Sequence, residues 1–279
     1  MKTYILLFQC RDRLGIVARL SDFIFKAGGN IITADQYSTD PEGGHFFIRL
    51  EFLTGLAVNK AGLEKGLCVI AGNFQAGFSL YEKEKPLRMG VCVSRPGHVL
   101  AEILYLWREK ELNVEIPFVI SNFECHREFV RQYKIPFYFI PASNSNRRET
   151  QILEKLSGKT DFLVLARYML IFSKKFLNAY GKDIINIHHG FLPSFKGANP
   201  YKQALDNGVK VIGATAHFVT DKLDEGPIIS QEVERVSHKD SLENLVRKGK
   251  NLEKRALIYA IQAYIDYRVV KHNNKTIVF

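Results

Sequence analysis

The second half of the sequence contains six polar residues whose types could support catalysis: Asn186, His188, His189, His217, Asp221 and Asp224. The first three lie in the stretch NIHHGFLP, where an apolar run that predicts a strand comes to its end. Residues two apart on a strand share a face, so Asn186 and His188 point the same way and His189 the other. An amide and an imidazole on one face can stabilise negative charge on a carbonyl oxygen, and a loop carboxylate such as Asp224 can orient the imidazole and move a proton. This pattern predicts acyl transfer or hydrolysis without a metal.

Two other chemistries fit the same residues less well. One metal ion could not easily bind both His188 and His189, because adjacent side chains of a strand point to opposite faces, and the sequence has no HExxH motif. It also has no GxSxG nucleophile motif, although a Cys–His pair stays open. Each residue has a purely structural interpretation as well, with Asn186 as a turn former and His188 as a hydrogen-bonded core residue.

The elements that must position these residues alternate between strands and helices after residue 85 or so. The segments MGVCVS, VEIPFVISN, IPFYFIPA, DFLVLARYM and DIINIHH are predicted strands, and helices are predicted between them. A further strand is predicted to deliver His217, and a long helix is predicted over 241–269. Such alternation predicts a Rossmann-like, mostly parallel sheet, which binds ligands beyond the carboxyl ends of its strands. His188 and His189 lie at such an end.

The first half has a different order of elements. Strands are predicted at 3–10 and 78–85, helices after Gly15 and over 59–72, and a hairpin around the turn PEGG. This βαββαβ order predicts a ferredoxin-like unit. The polar segment KEKPLRMG separates the halves, so we expect domains over 1–84 and 85–279, both within an α/β fold class.

Composition narrows the class of protein further. The chain has 279 residues, of which 46% are hydrophobic, and a formal net charge of +10. No apolar run reaches the roughly 18 residues of a membrane span, and the first residues resemble a strand more than a signal peptide. We therefore expect a cytoplasmic protein without a membrane or nucleic-acid partner. The four cysteines lack CxxC spacing and are expected to be reduced, mostly buried thiols.

The segment DRLGIVARLSDFIFKAGGNI resembles the ACT domain, a small βαββαβ module that pairs with copies of itself and often binds an amino acid. The resemblance places its ligand or interface at Asp12, Gly15, Ile16 and Asn30. Gly15 would let the backbone approach a ligand at a helix start. A tight turn accounts for the same glycine, so both interpretations stay open.

The second half resembles the folate-dependent formyltransferases through NIH, LP and the later HFVTDxLDxGPII pattern. The resemblance implies that Asn186, His188 and Asp224 are the catalytic residues that act on the formyl group of 10-formyltetrahydrofolate. It also implies contacts to the substrate, with the pterin meeting the segment LVLARYMLIF. The implied substrate-binding residues are Arg167, Met169, Leu170, Ile171, His189, Gly190, Lys196, Gly197, His217 and Thr220.

The order of the two domains, together with NIHH, FLPSFKGANPY, IGATAHFVT and LDEGPII, resembles the formyltetrahydrofolate deformylase family over nearly the whole chain. This implies hydrolysis of 10-formyltetrahydrofolate to formate and tetrahydrofolate, without a further cofactor, in support of the one-carbon pool for purine synthesis. It also implies a homodimer or homotetramer through ACT domains, with an amino-acid effector as an option.

A transferase to a small amine and a non-catalytic metabolite sensor are the alternatives. A phosphorylated acceptor would need a glycine-rich cradle after the first strand of the second domain, but SRPGHVLAEI has one glycine, and Pro96 lacks an N–H. This favours water as the acceptor. The chain departs from the family pattern at Gly190, where a Ser is expected, and near Leu170, where a Gln-like residue is expected.

Overall fold

The computed structural model describes residues 1–40, 42–194 and 199–279, and the chain divides into two compact units. Unit 1 comprises Met1–Pro86, Asp266–Val270 and Ile277–Phe279, and unit 2 comprises Leu87–Ile265 and Lys271–Thr276. The first segment of unit 1 ends at Pro86, and the sequence predicts domains over 1–84 and 85–279. The predicted domains did not include the return of the last residues to unit 1.

Unit 1 has the predicted βαββαβ order. Its elements are β1 (Lys2–Arg11), α1 (Ile16–Lys26), β2 (Asn30–Ser38), β3 (His45–Thr54), α2 (Lys60–Phe74) and β4 (Gly77–Glu82). The antiparallel strands lie in the order β2-β3-β1-β4. Apolar residues at four-residue spacing on α1 pack onto alternate residues of β1 and β3, as the periods of helix and strand require. The ferredoxin-like prediction is confirmed.

Unit 2 is built on an eight-stranded, mostly parallel sheet, again as predicted. Its strands are β5 (Leu87–Val93), β6 (Val114–Glu115), β7 (Val119–Ser121), β8 (Phe137–Phe139), β9 (Phe162–Ala166), β10 (Ile184–His188), β11 (Val211–Phe218) and β12 (Ile228–Arg235). Their order is β12-β11-β10-β9-β5-β7-β8, with β6 beside β5, and only β11 and β12 run antiparallel to their neighbours. The chain leaves β5 towards β7 and returns on the other side at β9. This reversal creates the crevice in which open α/β sheets bind ligands.

Among the described residues, unit 2 has six α-helices. They are α3 (His98–Arg108), α4 (Arg127–Arg131), α5 (Glu149–Leu156), α6 (Lys174–Tyr180), α7 (Pro200–Asp206) and α8 (Leu242–Ile265). The longest, α8, packs across β10, β11 and β12. The central strand β9 is buried along its whole length, which explains its unbroken apolar sequence.

Some predicted bounds were wrong. The single strand expected over VEIPFVISN is divided into β6 and β7, with Pro117, which has no N–H for a ladder hydrogen bond, between them. The last helix ends at Ile265 and is followed by a hairpin of β13 (Val269–His272) and β14 (Lys275–Val278). Asn273 has a φ of 54° in the two-residue turn, a conformation that asparagine tolerates well.

The cysteines are free, and only two of the four are buried, so the expectation of mostly buried thiols was wrong for Cys68 and Cys125. In the described part of the chain, the helices are too short or too polar to cross a membrane.

Candidate active site

The candidate site begins at the pairing of β10 with β11. Asn186 lies directly opposite His217, and His188 lies opposite Thr215. Directly opposed residues of an antiparallel pair project to the same face, so the amide and both imidazoles come together. Asp224 follows β11 in the loop to β12, with a φ of 54°. This left-handed conformation is uncommon for a residue with a side chain, and such outliers concentrate at functional sites.

The structure places His188 and His217 around the carboxylate of Asp224, and Asn186 joins this group through its contact with His217. Oδ2 of Asp224 is 3.3 Å from Nδ1 of His188, and Oδ1 is 3.8 Å from Nε2 of His217. The Asp224 side chain is 8% exposed and that of His188 is 5% exposed. Because water is largely excluded, the interaction between this carboxylate and a positive charge on His188 is much stronger than at the surface.

The amide of Asn186 is oriented by His217. Nδ1 of His217 lies 2.9 Å from the carbonyl oxygen of Phe218, which can only accept, so this nitrogen carries the proton. Burial lowers the pKa of His217 and so favours the neutral ring, although the hydrogen bond to Phe218 and the charge of Asp224 act in the opposite direction. Nε2 is then an acceptor for Nδ2 of Asn186 at 3.2 Å. The second amide proton of Asn186 can be offered to a ligand. His217 therefore supports the site through Asn186.

His189 directly follows the end of β10, and its ring centroid lies 5.3 Å from that of His188. Its ring is in edge-to-face contact with Tyr201 on α7, with 5.9 Å between ring centroids. Burial and the positive charge of Arg167 lower the pKa of His189 to about 3. His189 is therefore a neutral imidazole near neutral pH.

A cavity of about 340 Å³ opens beside these residues. Residues 167–172 form one wall, residues 219–224 form another, and 186–189 lie between them. Met169, Ile171 and Leu223 are each about half exposed although they are apolar. Exposed apolar side chains around a polar centre are typical of a pocket for a flat, largely apolar ligand.

The wall that follows β9 includes four of the ten predicted substrate contacts, Arg167, Met169, Leu170 and Ile171. Arg167 has a φ of 63°, which turns the chain out of the strand, and Oγ of Ser94 accepts a hydrogen bond from the Met169 N–H at 3.0 Å. Leu170 is half-buried and packs against the core of unit 2. Its side chain supplies no hydrogen bond to the cavity.

Thr220 and Gly190, two other predicted substrate contacts, lie outside the wall that follows β9. Thr220 lines the cavity, and its hydroxyl donates to the carbonyl oxygen of Lys222, which stabilises the loop. Gly190 is buried, and its carbonyl oxygen accepts a hydrogen bond from Thr215 at 2.9 Å. Lys196 and Gly197 lie outside the described residues.

Sequence reasoning missed a buried acidic residue near the site. Glu253 on α8 is 1% exposed and accepts hydrogen bonds from His98 and Tyr201. We call Glu253, His98, Arg167 and Tyr201 the Glu253 cluster. The segment KNLEKR around Glu253 reads as a charged helix surface, and no local pattern distinguishes its one buried carboxylate.

The predicted ACT residues lie at the start of α1 and near the ends of β1 and β2 in unit 1. Gly15 has a φ of 89° at the N-terminus of α1, which only glycine adopts readily. Asp12 accepts a hydrogen bond from Ser38, and Asn30 is exposed at the start of β2. The side chain of Ile16 is buried in the core, so only its backbone could meet a ligand.

The order of elements and the site together define a folate-type formyl-transferring fold preceded by an ACT module. Residues 87–261 match the family model described as Formyl transferase, and residues 4–56 match the ACT domain. The formyltetrahydrofolate deformylase of Bacillus subtilis is 45% identical over 280 residues, covering 98% of this chain and 93% of that protein. The chain belongs to the formyltetrahydrofolate deformylase family.

Solved structures agree with this assignment. A formyltetrahydrofolate deformylase from Pseudomonas syringae pv. tomato aligns with a TM-score of 0.94 at 40% identity, covering 100% of this chain and 95% of that one. A glycinamide ribonucleotide transformylase from Symbiobacterium toebii aligns with a TM-score of 0.66 at 31% identity, covering 72% of this chain and 98% of that one. The likeness therefore extends over both units for the deformylase and over a smaller share of the chain for the transformylase.

Proposed function

We propose that this protein hydrolyses 10-formyltetrahydrofolate to formate and tetrahydrofolate. The observation that carries the proposal is the arrangement of Asn186, His188 and Asp224 beside an apolar cavity, with the His188 and Asp224 side chains nearly buried. The relatives named as formyltetrahydrofolate deformylases support the same substrate and reaction.

In the proposed mechanism, Asn186 and His188 stabilise the oxyanion that forms when water attacks the formyl carbon. The amide of Asn186 is held by His217, so its second proton is already directed before the substrate binds. Donors fixed in advance stabilise a transition state more than donors that must reorganise. His188 has Asp224 on its Nδ1 side, which places Nε2 on the opposite edge of the ring for the formyl oxygen.

Asp224 has a second task in this scheme. Its carboxylate interacts with His188 and His217 and can take a proton from the attacking water as the C–O bond forms. The tetrahedral intermediate then collapses, the C–N bond breaks, and the proton passes to the leaving nitrogen of tetrahydrofolate. The formic acid that this step forms gives its remaining proton to water and leaves as the formate anion. The positive charge of Arg167, which lines the same cavity, favours both the oxyanion and formate.

The loop after β5 supports water as the acceptor in place of a phosphorylated amine. The Ser94 N–H donates to the carbonyl oxygen of Arg167 at 3.2 Å, and Pro96 has no N–H. The ring of His126 packs so closely on Gly97 that an added Cβ would lie 2.5 Å from it. A phosphate needs several unused N–H groups in a concave loop. In this loop, His126 fills the space beside Gly97, and the N–H of Ser94 already donates a hydrogen bond.

A product assay with purified protein tests the proposal. We expect equal amounts of formate and tetrahydrofolate to form from 10-formyltetrahydrofolate, with no formylated product when glycinamide, an amino sugar or ammonia is added. Stoichiometric formylation of an added amine would instead establish a transferase. Absence of any turnover by folded protein would favour a non-catalytic sensor.

The wider role is proposed on the same basis. We propose that the formate and tetrahydrofolate sustain the one-carbon pool for purine synthesis in the cytoplasm, and that the ACT unit assembles a dimer or tetramer with an optional amino-acid effector. The match of residues 4–56 to the ACT domain supports the last two points. Light scattering of the purified protein, with and without amino acids, tests them.

A further inference from the structure

The Glu253 cluster joins parts of the chain that are far apart in sequence but adjacent in the sheet. His98 begins α3 soon after β5, Arg167 follows β9 directly, and His189 follows β10 directly. These are the carboxyl ends of three neighbouring parallel strands, next to the point where the strand order reverses. Glu253 reaches this edge from α8. One buried carboxylate therefore connects the elements that carry the candidate site.

Both oxygens of Glu253 are used. Oε2 accepts from Nε2 of His98 at 2.8 Å and lies 3.4 Å from Nε of Arg167, while Oε1 accepts from the hydroxyl of Tyr201 at 2.7 Å. Nε of Arg167 is buried and has no hydrogen bond to the described residues. Burial opposes ionisation of Glu253, but the His98 hydrogen bond and the charge of Arg167 outweigh it and lower the pKa of this carboxyl. Glu253 is thus a buried anion that balances the charge of Arg167.

The contact with Tyr201 depends on a glycine. Gly249 lies one helical turn before Glu253 on the same face of α8, and an added Cβ would lie 2.0 Å from Cζ of Tyr201. The missing side chain lets the tyrosine ring lie against the helix with its hydroxyl at Glu253. The same ring is in edge-to-face contact with His189. A shift of α8 would therefore move Tyr201 and, with it, His189, which is next to His188.

We infer that Glu253 is a positioning residue of the active site, which holds Arg167 at the cavity and, through Tyr201, holds His189 beside His188. The inference rests on the proposed hydrolysis for its kinetic consequences. The charged and titratable groups that face Glu253 are His98 from α3, Arg167 after β9, and Tyr201 from α7. His189 lies next to Tyr201, and the charge of Arg167 lowers its pKa while that of Glu253 raises it.

The variant Glu253→Gln tests this role because it keeps the shape and removes the charge. Arg167 then carries an unbalanced positive charge, which favours the neutral forms of the nearby imidazoles. We expect kcat to fall about 10- to 100-fold, as displacement of reacting groups by a fraction of an ångström can cause, with KM changed less than about threefold. We also expect the acidic limb of the pH–rate profile to move to lower pH by about one unit.

Two further variants complete the kinetic design. Tyr201→Phe removes one hydrogen bond and no charge, so kcat should fall about three- to tenfold without a shift of the acidic limb. Glu102→Gln is the matched control, because Glu102 also pairs with a cation of α8, Lys254, at 3.2 Å, but at a partly exposed position. Its kinetics should equal those of the wild type.

A readout without substrate separates this inference from the proposed function. In the free protein, the imidazole NMR signals of His189 should change in Glu253→Gln and Tyr201→Phe and not in Glu102→Gln, with His189→Asn used for assignment. Folded Glu253→Gln protein with unchanged His189 signals and an unshifted pH profile would overturn the inference. If Glu253→Gln does not fold, a wild-type kcat and unchanged His189 signals in Tyr201→Phe would overturn the inference. A wild-type protein that releases no formate would overturn the proposed function, whereas the NMR comparison would still decide the inference.

Discussion

The substitution Asp224→Asn tests the proposed proton transfer with little structural disturbance. Asn has the same shape as Asp and tolerates the left-handed conformation at φ 54° at least as well, so the loop should keep its course. The hydrogen bond to His188 can persist in weaker form. What the variant loses is the negative charge and the ability to take a proton.

The size of the effect follows from the geometry. Against the protonated form of His188, the form that can donate its Nε2–H to the oxyanion, the charge of Asp224 at 3.3 Å from Nδ1 is worth about 5 kcal/mol at an effective dielectric constant of about 20. The neutral hydrogen bond that remains in Asp224→Asn recovers part of this energy, so the activation barrier should rise by about 3 kcal/mol. We therefore expect kcat to fall by a factor of roughly 100 to 1,000.

Formate release should be measured at substrate saturation for wild type, Asp224→Asn and Asp22→Asn. The last variant removes a carboxylate from an exposed ion pair with Lys26 on α1, far from the cavity in sequence and in a different unit. It should retain wild-type kcat. If folded Asp224→Asn kept more than about a tenth of the wild-type kcat, the assignment of proton transfer to this residue would be wrong.

Three further predictions concern the neighbouring residues. Asn186→Leu removes one oxyanion donor and should lower kcat about 100-fold in the formate assay, and a wild-type rate would exclude that role. Leu170→Gln should lower KM for the folate several-fold at unchanged kcat by adding a polar group to the cavity wall, and a KM that is unchanged or raised would count against a pterin contact there. His189 has a pKa near 3 in the folded protein and 6.5 as its ordinary value, so between these values only the unfolded chain binds its proton. Acidification from pH 6.5 towards 3 should therefore destabilise the wild type by up to about 1.4 kcal/mol per unit more than His189→Gln, and equal slopes in urea unfolding would contradict this.

Much of the fold follows from local patterns in the sequence. Buried strands such as β9 are unbroken apolar runs, and the helices between them carry apolar residues at helical spacing, so their order was predictable. The hairpin of β13 and β14 was not predicted, although the Asn273–Asn274 pair is a turn signal, because the preceding helix pattern was extended too far. Helix ends are set partly by tertiary packing and are poorly defined by periodicity alone.

The candidate site was predictable to the extent that it is local. Asn186 and His188 share a strand, and a two-residue period places them on one face. The proximity of Asp224 depended on β10 and β11 being neighbours, which the structure provides. Glu253 lies 155 residues from its partner His98 and in a charged helix. Only the packing of α8 against the sheet reveals that this carboxylate is buried.

The central claim is that water attacks the formyl carbon of 10-formyltetrahydrofolate in the cavity beside Asn186, His188 and Asp224. A single-turnover reaction in water enriched in ¹⁸O measures this directly by mass spectrometry of the released formate. We predict that each formate released by the wild type contains one oxygen from the solvent. On the same timescale, Asp224→Asn should release no labelled formate above background. Formate without solvent oxygen, or a formyl group recovered on an amine, would contradict the account.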